Sequence, residues 1–141
     1  MPAAVDFKPR IAVVLALLAA GVALPGCGDE EPVEIEGRTL TVRLDEFRIV
    51  PQNTRVREGR LRIVATNVGR LTHNLVVVKQ DEDDLEERPE EIAGTRTAQP
   101  NESSSVTFEE GDLPPGEYRM ICSIANHDDL GQYGRLIVEK G

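Results

Sequence analysis

Cysteine and histidine are the scarcest reactive residues in this chain, two of each in 141 positions, alongside two methionines and no tryptophan. So few cysteines exclude a disulfide framework. Positive charge is also short: 16 Lys and Arg face 25 Asp and Glu, for a net charge of −9. That balance excludes a nucleic-acid partner, which needs a basic footprint. Long hydrophobic runs are missing except one, "IAVVLALLAAGVAL" from Ile11 to Leu24, whose 14 residues are short for a membrane span. Helical periodicity is nearly absent, which steers the fold away from bundles and doubly wound sheets.

The one apolar run has a recognisable context. Lys8 and Arg10 form a small positive region before it, as in a secretory signal. It ends in "LPGC", Leu24 to Cys27, which resembles a bacterial lipobox whose cysteine carries lipid and becomes the mature N-terminus. The other reading is an uncleaved helical anchor, but Pro25 and Gly26 break a helix where a span would have to continue. Both readings put the rest of the chain outside the cytoplasm at a membrane, periplasmic or on the outer surface. Removing residues 1–26 takes Asp6, Lys8 and Arg10 and leaves a charge of −10. "GDEEPVEIEG" follows, acidic and poor in core material, so residues 27–38 read as a tether. Residues 39–141 suffice for one compact core.

That remainder reads as strands. "TLTVRL" (Thr39 to Leu44) alternates, with Leu40, Val42 and Leu44 on one face. "TRVREGRLRIVATN" (Thr54 to Asn67) reads as two strands joined at a tight turn on Glu58-Gly59. "HNLVVVK", "SSVTFE", "GEYRMICS" and "YGRLIVEK" continue the pattern, separated by turns such as "LPPGE". The expected fold is all-β, an antiparallel Greek-key β-sandwich of about seven or eight strands. An acidic insertion at 81–103 interrupts it, with eight acids against one arginine in its first eleven residues. It reads as a surface excursion with one helical turn before Pro89, either a solvated loop or a surface that steers a basic partner. Arg55, Arg57, Arg60 and Arg62 read as a solvent-facing basic stripe.

The chemistry-bearing residues fall together. In "GEYRMICS", Tyr118, Met120 and Cys122 share parity, so Cys122 ends a strand facing the core. "SIANHDDLGQ" then carries His127 and Gln132 before the next strand, and His73 opens a strand after "NVGRLT". With Cys27 lipidated, Cys122 has no disulfide partner and is inert, reactive or metal-bound. The start of one strand and the end of an antiparallel neighbour can meet at one pole of a sandwich. His73, Cys122 and His127 then form a soft thiolate with two imidazoles, a set suited to copper in a blue-copper electron-transfer geometry. Asp128 and Asp129 belong at the solvated loop tip.

"PPGEYRMICSIANHDDLGQYGRLIV" resembles the closing hairpin of a cupredoxin, and "EFRIVPQNTRVREGRLRIVATNVGRLTHNLVV" resembles that family's front half. The resemblance implies one type 1 copper with His73, Cys122 and His127 as equatorial ligands. It implies that Asn74, like the family asparagine beside the first histidine, helps hydrogen-bond the thiolate. Gln132 stands where the family usually has an axial methionine and where stellacyanin-like members have a glutamine. The only methionines, Met1 and Met120, are badly placed for that role. An amide oxygen is a harder donor than a thioether and favours Cu(II), which implies a lowered reduction potential.

The leading functional expectation is a lipid-anchored blue-copper protein, not an enzyme, passing single electrons between redox protein partners at the membrane, with no small-molecule substrate. Copper capture or delivery is the alternative. Thiol catalysis by Cys122 with His127 as base lacks a third orienting group. Multicopper oxidase or reductase chemistry would need more histidines than the two present.

Overall fold

Strict alternation of apolar and polar residues decides which faces of the strands turn inward. In the computed structural model the described residues are 30–79 and 89–141. The expected signal at 1–26, the expected lipid site Cys27 and the early acidic stretch 81–88 lie outside them. Ten strands are present among the described residues: β1 (Val33–Glu34), β2 (Thr39–Asp45), β3 (Arg48–Val50), β4 (Asn53–Arg57), β5 (Leu61–Asn67), β6 (Val76–Lys79), β7 (Glu91–Gly94), β8 (Ser103–Phe108), β9 (Gly116–Ile121) and β10 (Tyr133–Glu139). They form two sheets, ordered β1-β4-β10-β9-β6-β7 and β3-β2-β5-β8. No helix among the described residues is long and apolar enough to cross a membrane.

The inner faces are those the alternation marks. Leu40, Val42 and Leu44 of β2, with Leu61, Ile63 and Ala65 of β5, pack against Val56, Val77, Tyr118, Met120, Leu136 and Val138 of the other sheet. Phe108 and Leu113 close the core at one side. Each such side chain contributes roughly 1.5–3 kcal/mol by leaving water. β6 is buried on both faces, because Val76 and Val78 join Ile121 in a second cluster on the outer side. Tyr118 adds a polar lock: its hydroxyl donates to the Pro114 carbonyl at 2.6 Å and ties the "LPPG" turn to β9.

The β-sandwich expected from the sequence is the observed fold, and several strand partners differ from the simplest reading. β2 runs parallel to β5, and β4 parallel to β10. The cause is a chain that changes sheets twice between β2 and β5. Pro51 has no N–H for a ladder, so the run from β3 to β4 leaves one sheet there and enters the other. Gly134 makes room for this crossing, since a Cβ on it would collide with the Gln52 carbonyl. The chain returns at Gly59, whose φ of +115° favours glycine. β4 and β5 therefore lie in opposite sheets instead of pairing as a hairpin.

The arginine stripe is accordingly divided and paired. Arg55 meets Glu34 at 2.7 Å and Glu139 at 3.1 Å, Arg60 meets Glu109 at 3.3 Å, and Arg62 donates to Ser105 at 3.3 Å. The Glu34 pair also reveals why the acidic tether is shorter than its composition suggests. β1 adds to the sheet edge beside β4, and Ile35 packs on the core. The later half of the acidic insertion is likewise built in: β7 pairs with β6, and Ala98, 2% exposed, bridges to His73. Isolated apolar residues, Ile92, Ala93 and Ala98, make these contacts without any period-2 signal.

Opposite faces of β5 should respond differently to truncation. Ile63→Ala is expected to cost about 2–5 kcal/mol, as buried branched residues do, while Arg62→Ala stays within about 0.5 kcal/mol. Urea unfolding midpoints of the two variants check this.

Candidate metal centre

Three segments meet at one pole of the sandwich: the turn between β2 and β3, the link from β5 to β6, and the loop from β9 to β10. The link is organised by Asn67, fully buried at the end of β5. Its Nδ2 donates to the carbonyls of Leu71 at 2.7 Å and Ala98 at 2.9 Å, and its Oδ1 accepts from the Gly69 N–H at 2.9 Å. His73 is then held through its backbone by two bonds to Ala98, at 3.1 and 2.8 Å. Thr95 continues the clasp, its hydroxyl accepting from Leu75 N–H at 3.0 Å.

The β9–β10 loop is closed at both ends by Gln132. Cys122 N–H donates to the Gln132 carbonyl at 3.1 Å, and Gln132 N–H donates to the His127 carbonyl at 2.9 Å. Ala125 at φ 50° and Gly131 at φ 113° turn the chain between them. Asn74 staples this loop to the link: it donates to Ser123 Oγ and accepts from Ser123 N–H, both at 2.9 Å. The Asn74 side chain is thus spent on Ser123. Its backbone N–H, with that of Ile124, is what faces the Cys122 sulfur.

These constraints bring three donors together. Cys122 Sγ lies 3.9 Å from His73 Nδ1 and 3.6 Å from His127 Nδ1. The three donor atoms all fall within 4.8 Å of one another, and all three residues are buried. The imidazoles sit 5.1 Å apart at 59°. Metal bonds of about 2.0–2.3 Å to nitrogen and sulfur, at tetrahedral to trigonal angles, would set two donors roughly 3.5–3.8 Å apart. The observed separations match a set able to hold one ion.

Gln132 stands beside this set, fully buried. Its Nε2 donates to the Asp45 carbonyl at 2.6 Å, which fixes the amide, and its Oε1 is buried without a hydrogen-bond partner. An orphaned buried acceptor costs desolvation energy. A cation at the adjacent donors would satisfy it. Asp128 is half-buried and Asp129 is exposed at the loop tip.

Electrostatics favour an uncharged Cys122 and an uncharged His73 in the absence of a cation. Burial pushes the Cys122 thiol up, against the two backbone N–H groups, and Asp128 adds to the rise. Burial and the neighbouring His127 push His73 down, while Glu46 and the Gln132 side chain pull the other way. A fully buried thiol with a raised pKa is poorly suited to nucleophilic catalysis.

Sequence reasoning did not single out Glu46 or Asn67. Glu46 sits in the β2–β3 turn and accepts the backbone N–H groups of Leu71, at 3.0 Å, and Arg70. Those bonds hold its pKa down at about 2. Its Oε1 lies 3.7 Å from His73 Nε2, which has no hydrogen-bond partner of its own. The only sequence hint was the "NVG" turn preceding His73. Gly69 in that turn has no side chain to block the approach, and a Cβ there would collide with Glu46 Oε1.

No family model matches the sequence, and no curated protein does. Solved structures do. The dithionite-reduced auracyanin of the photosynthetic bacterium Roseiflexus castenholzii aligns at TM-score 0.63 and 22% identity, over 73% of this chain and 98% of that one. Auracyanin B aligns at TM-score 0.60 and 22% identity, over 79% and 93%. Auracyanin A, a "blue" copper protein of the green thermophilic photosynthetic bacterium Chloroflexus aurantiacus, aligns at 0.58 and 22%, over 72% and 99%. These likenesses establish the fold as the cupredoxin-like β-sandwich.

The Asn74 staple generates a direct expectation. Asn74→Ala removes two hydrogen bonds between the segments carrying His73 and Cys122, and should destabilise the chain by about 1–2 kcal/mol. Faster amide exchange at Ser123, read by NMR, would mark the loosened loop; unchanged protection there would show that the staple carries no load.

Proposed function

We propose that this chain is a membrane-anchored, extracytoplasmic blue-copper protein that carries single electrons between redox protein partners. His73, Cys122 and His127 would hold one type 1 copper ion, with the Gln132 amide oxygen as a further ligand. The carrying observation is the buried convergence of one sulfur and two imidazole nitrogens, 3.6 and 3.9 Å from that sulfur. The blue copper protein among the structural neighbours supports the same reading. Bound there, copper supplies a one-electron couple between Cu(I) and Cu(II).

The chain's own residues supply the rest. Cys122 gives up its proton to become a thiolate, a soft donor whose charge is moderated by the Asn74 and Ile124 N–H groups. His73 and His127 offer neutral nitrogens. Gln132 offers the unpartnered amide oxygen, a harder donor that favours the higher oxidation state and lowers the potential. Burial excludes water, and hydrogen bonds at both ends of the ligand loop limit movement when charge changes. Such rigidity suits electron transfer, where each rearrangement slows the step.

Anchoring belongs to the same proposal. The signal-like run and "LPGC" would leave Cys27 lipidated as the mature N-terminus. The described fold begins to bind the sheet at Glu30, whose carbonyl accepts from Asn53 at 2.7 Å, so the domain would sit within a few residues of the lipid. That closeness favours partners at the membrane surface.

Copper added to the full chain in mild detergent should produce an intense visible charge-transfer band. Cys122→Ser should abolish the band and Gln132→Met should raise the midpoint potential. A colourless copper complex of the wild type would sink the electron-transfer reading. An unshifted potential in the methionine variant would remove Gln132 from the ligand set. Rapid loss of metal to a chelator would favour copper delivery instead.

A further inference from the structure

We infer that Glu46 is a positioning residue for His73: its carboxylate selects the imidazole tautomer and sets a fixed negative charge behind the ring. The tautomer half stands on geometry alone. The redox half, a lowered potential, rests on the copper reading above.

The ring has polar neighbours on two opposite sides. Nδ1 faces the Cys122 sulfur at 3.9 Å and Nε2 faces Glu46 Oε1 at 3.7 Å. His73 is fully buried, and Nε2 has no hydrogen-bond partner. A neutral imidazole carries one N–H and one lone pair, and the neighbour of one nitrogen decides the state of the other. A carboxylate beside Nε2 favours the proton there. The Nδ1 lone pair is then left toward the sulfur, as a metal ligand requires. At 3.7 Å the contact is longer than an ordinary hydrogen bond, so the attraction is mainly that of charge for dipole.

Three features hold Glu46 in place. Its Oε1 accepts from the Leu71 and Arg70 N–H groups, both in the link that carries His73. Asp45, its chain neighbour, presents the carbonyl that fixes Gln132. Gly69 leaves the space through which the carboxylate approaches, with a Cβ there standing 3.1 Å from His73 Nε2. One turn thus orients a candidate equatorial ligand through Glu46 and the candidate axial ligand through Asp45. A carboxylate behind a ligating histidine also raises the basicity of that ligand. Its charge favours the more positive metal state.

Two measurements on the full chain in mild detergent test this. Long-range proton–nitrogen NMR of the metal-free protein should find His73 mainly protonated at Nε2. Glu46→Gln, which keeps the acceptor for Arg70 and Leu71, should weaken that preference. Gly69→Ala should weaken it too by displacing the carboxylate while keeping its charge, and it serves if the first variant does not fold. With copper bound, the midpoint potential should rise in Glu46→Gln and, by less, in Gly69→Ala. Glu109→Gln, an equal charge change at the Arg60 ion pair, should leave it unmoved. An unchanged His73 tautomer in Glu46→Gln would overturn the positioning role. A changed tautomer with an unchanged potential would overturn the redox half. Failure of the wild type to bind copper would instead defeat the copper reading, leaving the metal-free spectra to decide on Glu46.

Discussion

The antiparallel register of β6 on β9 is the interaction on which the pole of the sandwich depends. Val76 faces Ile121, and this pairing carries Cys122 and His73, 49 positions apart in sequence, to the same end of the same two strands. Side chains alternate along a strand, so a slip of one residue would turn Cys122 away from the core and bring Ile121 inward. Both faces of β6 resist such a slip. Val77 is seated in the main core, while Val76 and Val78 pack with Ile121 on the outside. The donor triangle is therefore positioned by hydrophobic matching well away from the donors themselves.

Around that fixed register, polar groups are buried with a consistent logic. Asn67 uses both ends of its amide to shape the link, and Gln132 uses its amide nitrogen and both its backbone groups to close the loop. Buried polar groups are expected to find partners. Most here do; among the described residues four buried side-chain atoms have no hydrogen bond, Arg55 Nε and Arg135 Nε in the strands, and Gln132 Oε1 and His73 Nε2 beside the donor triangle. His73 Nε2 has the Glu46 carboxylate 3.7 Å away.

Much of this was legible in the sequence, for reasons that also explain what was not. The long strands declare themselves because Leu40, Val42 and Leu44, or Leu61, Ile63 and Ala65, alternate and are buried accordingly. Parity alone put Cys122 on the core face. β1, β3 and β7 escaped because strands of two to four residues have too little pattern to read. Their existence depends on the edge they meet. The separation of β4 from β5 was hidden for a related reason: a tight turn at Gly59 looks the same whether it joins neighbours in one sheet or passes between sheets. Glu46 was illegible because its significance lies in contacts with Arg70, Leu71 and His73, across the sandwich pole from its own turn.

The charge of the pole supplies the last step. The proposed ion would meet one formal negative charge from the Cys122 thiolate and a second from Glu46, held ionised by the backbone of Leu71 and Arg70. With Cu(II) these charges cancel; with Cu(I) one negative charge remains. As a ligand, Gln132 would push in the same direction, since an amide oxygen prefers the harder ion. In the proposed site two independent features, a carboxylate behind one imidazole and an amide oxygen as ligand, would both disfavour the reduced state. In the proposed carrier this makes the loaded electron easier to give than to take. Its acceptor can then be an ordinary redox protein, and the stringent requirement falls on the donor, which must be the stronger reductant.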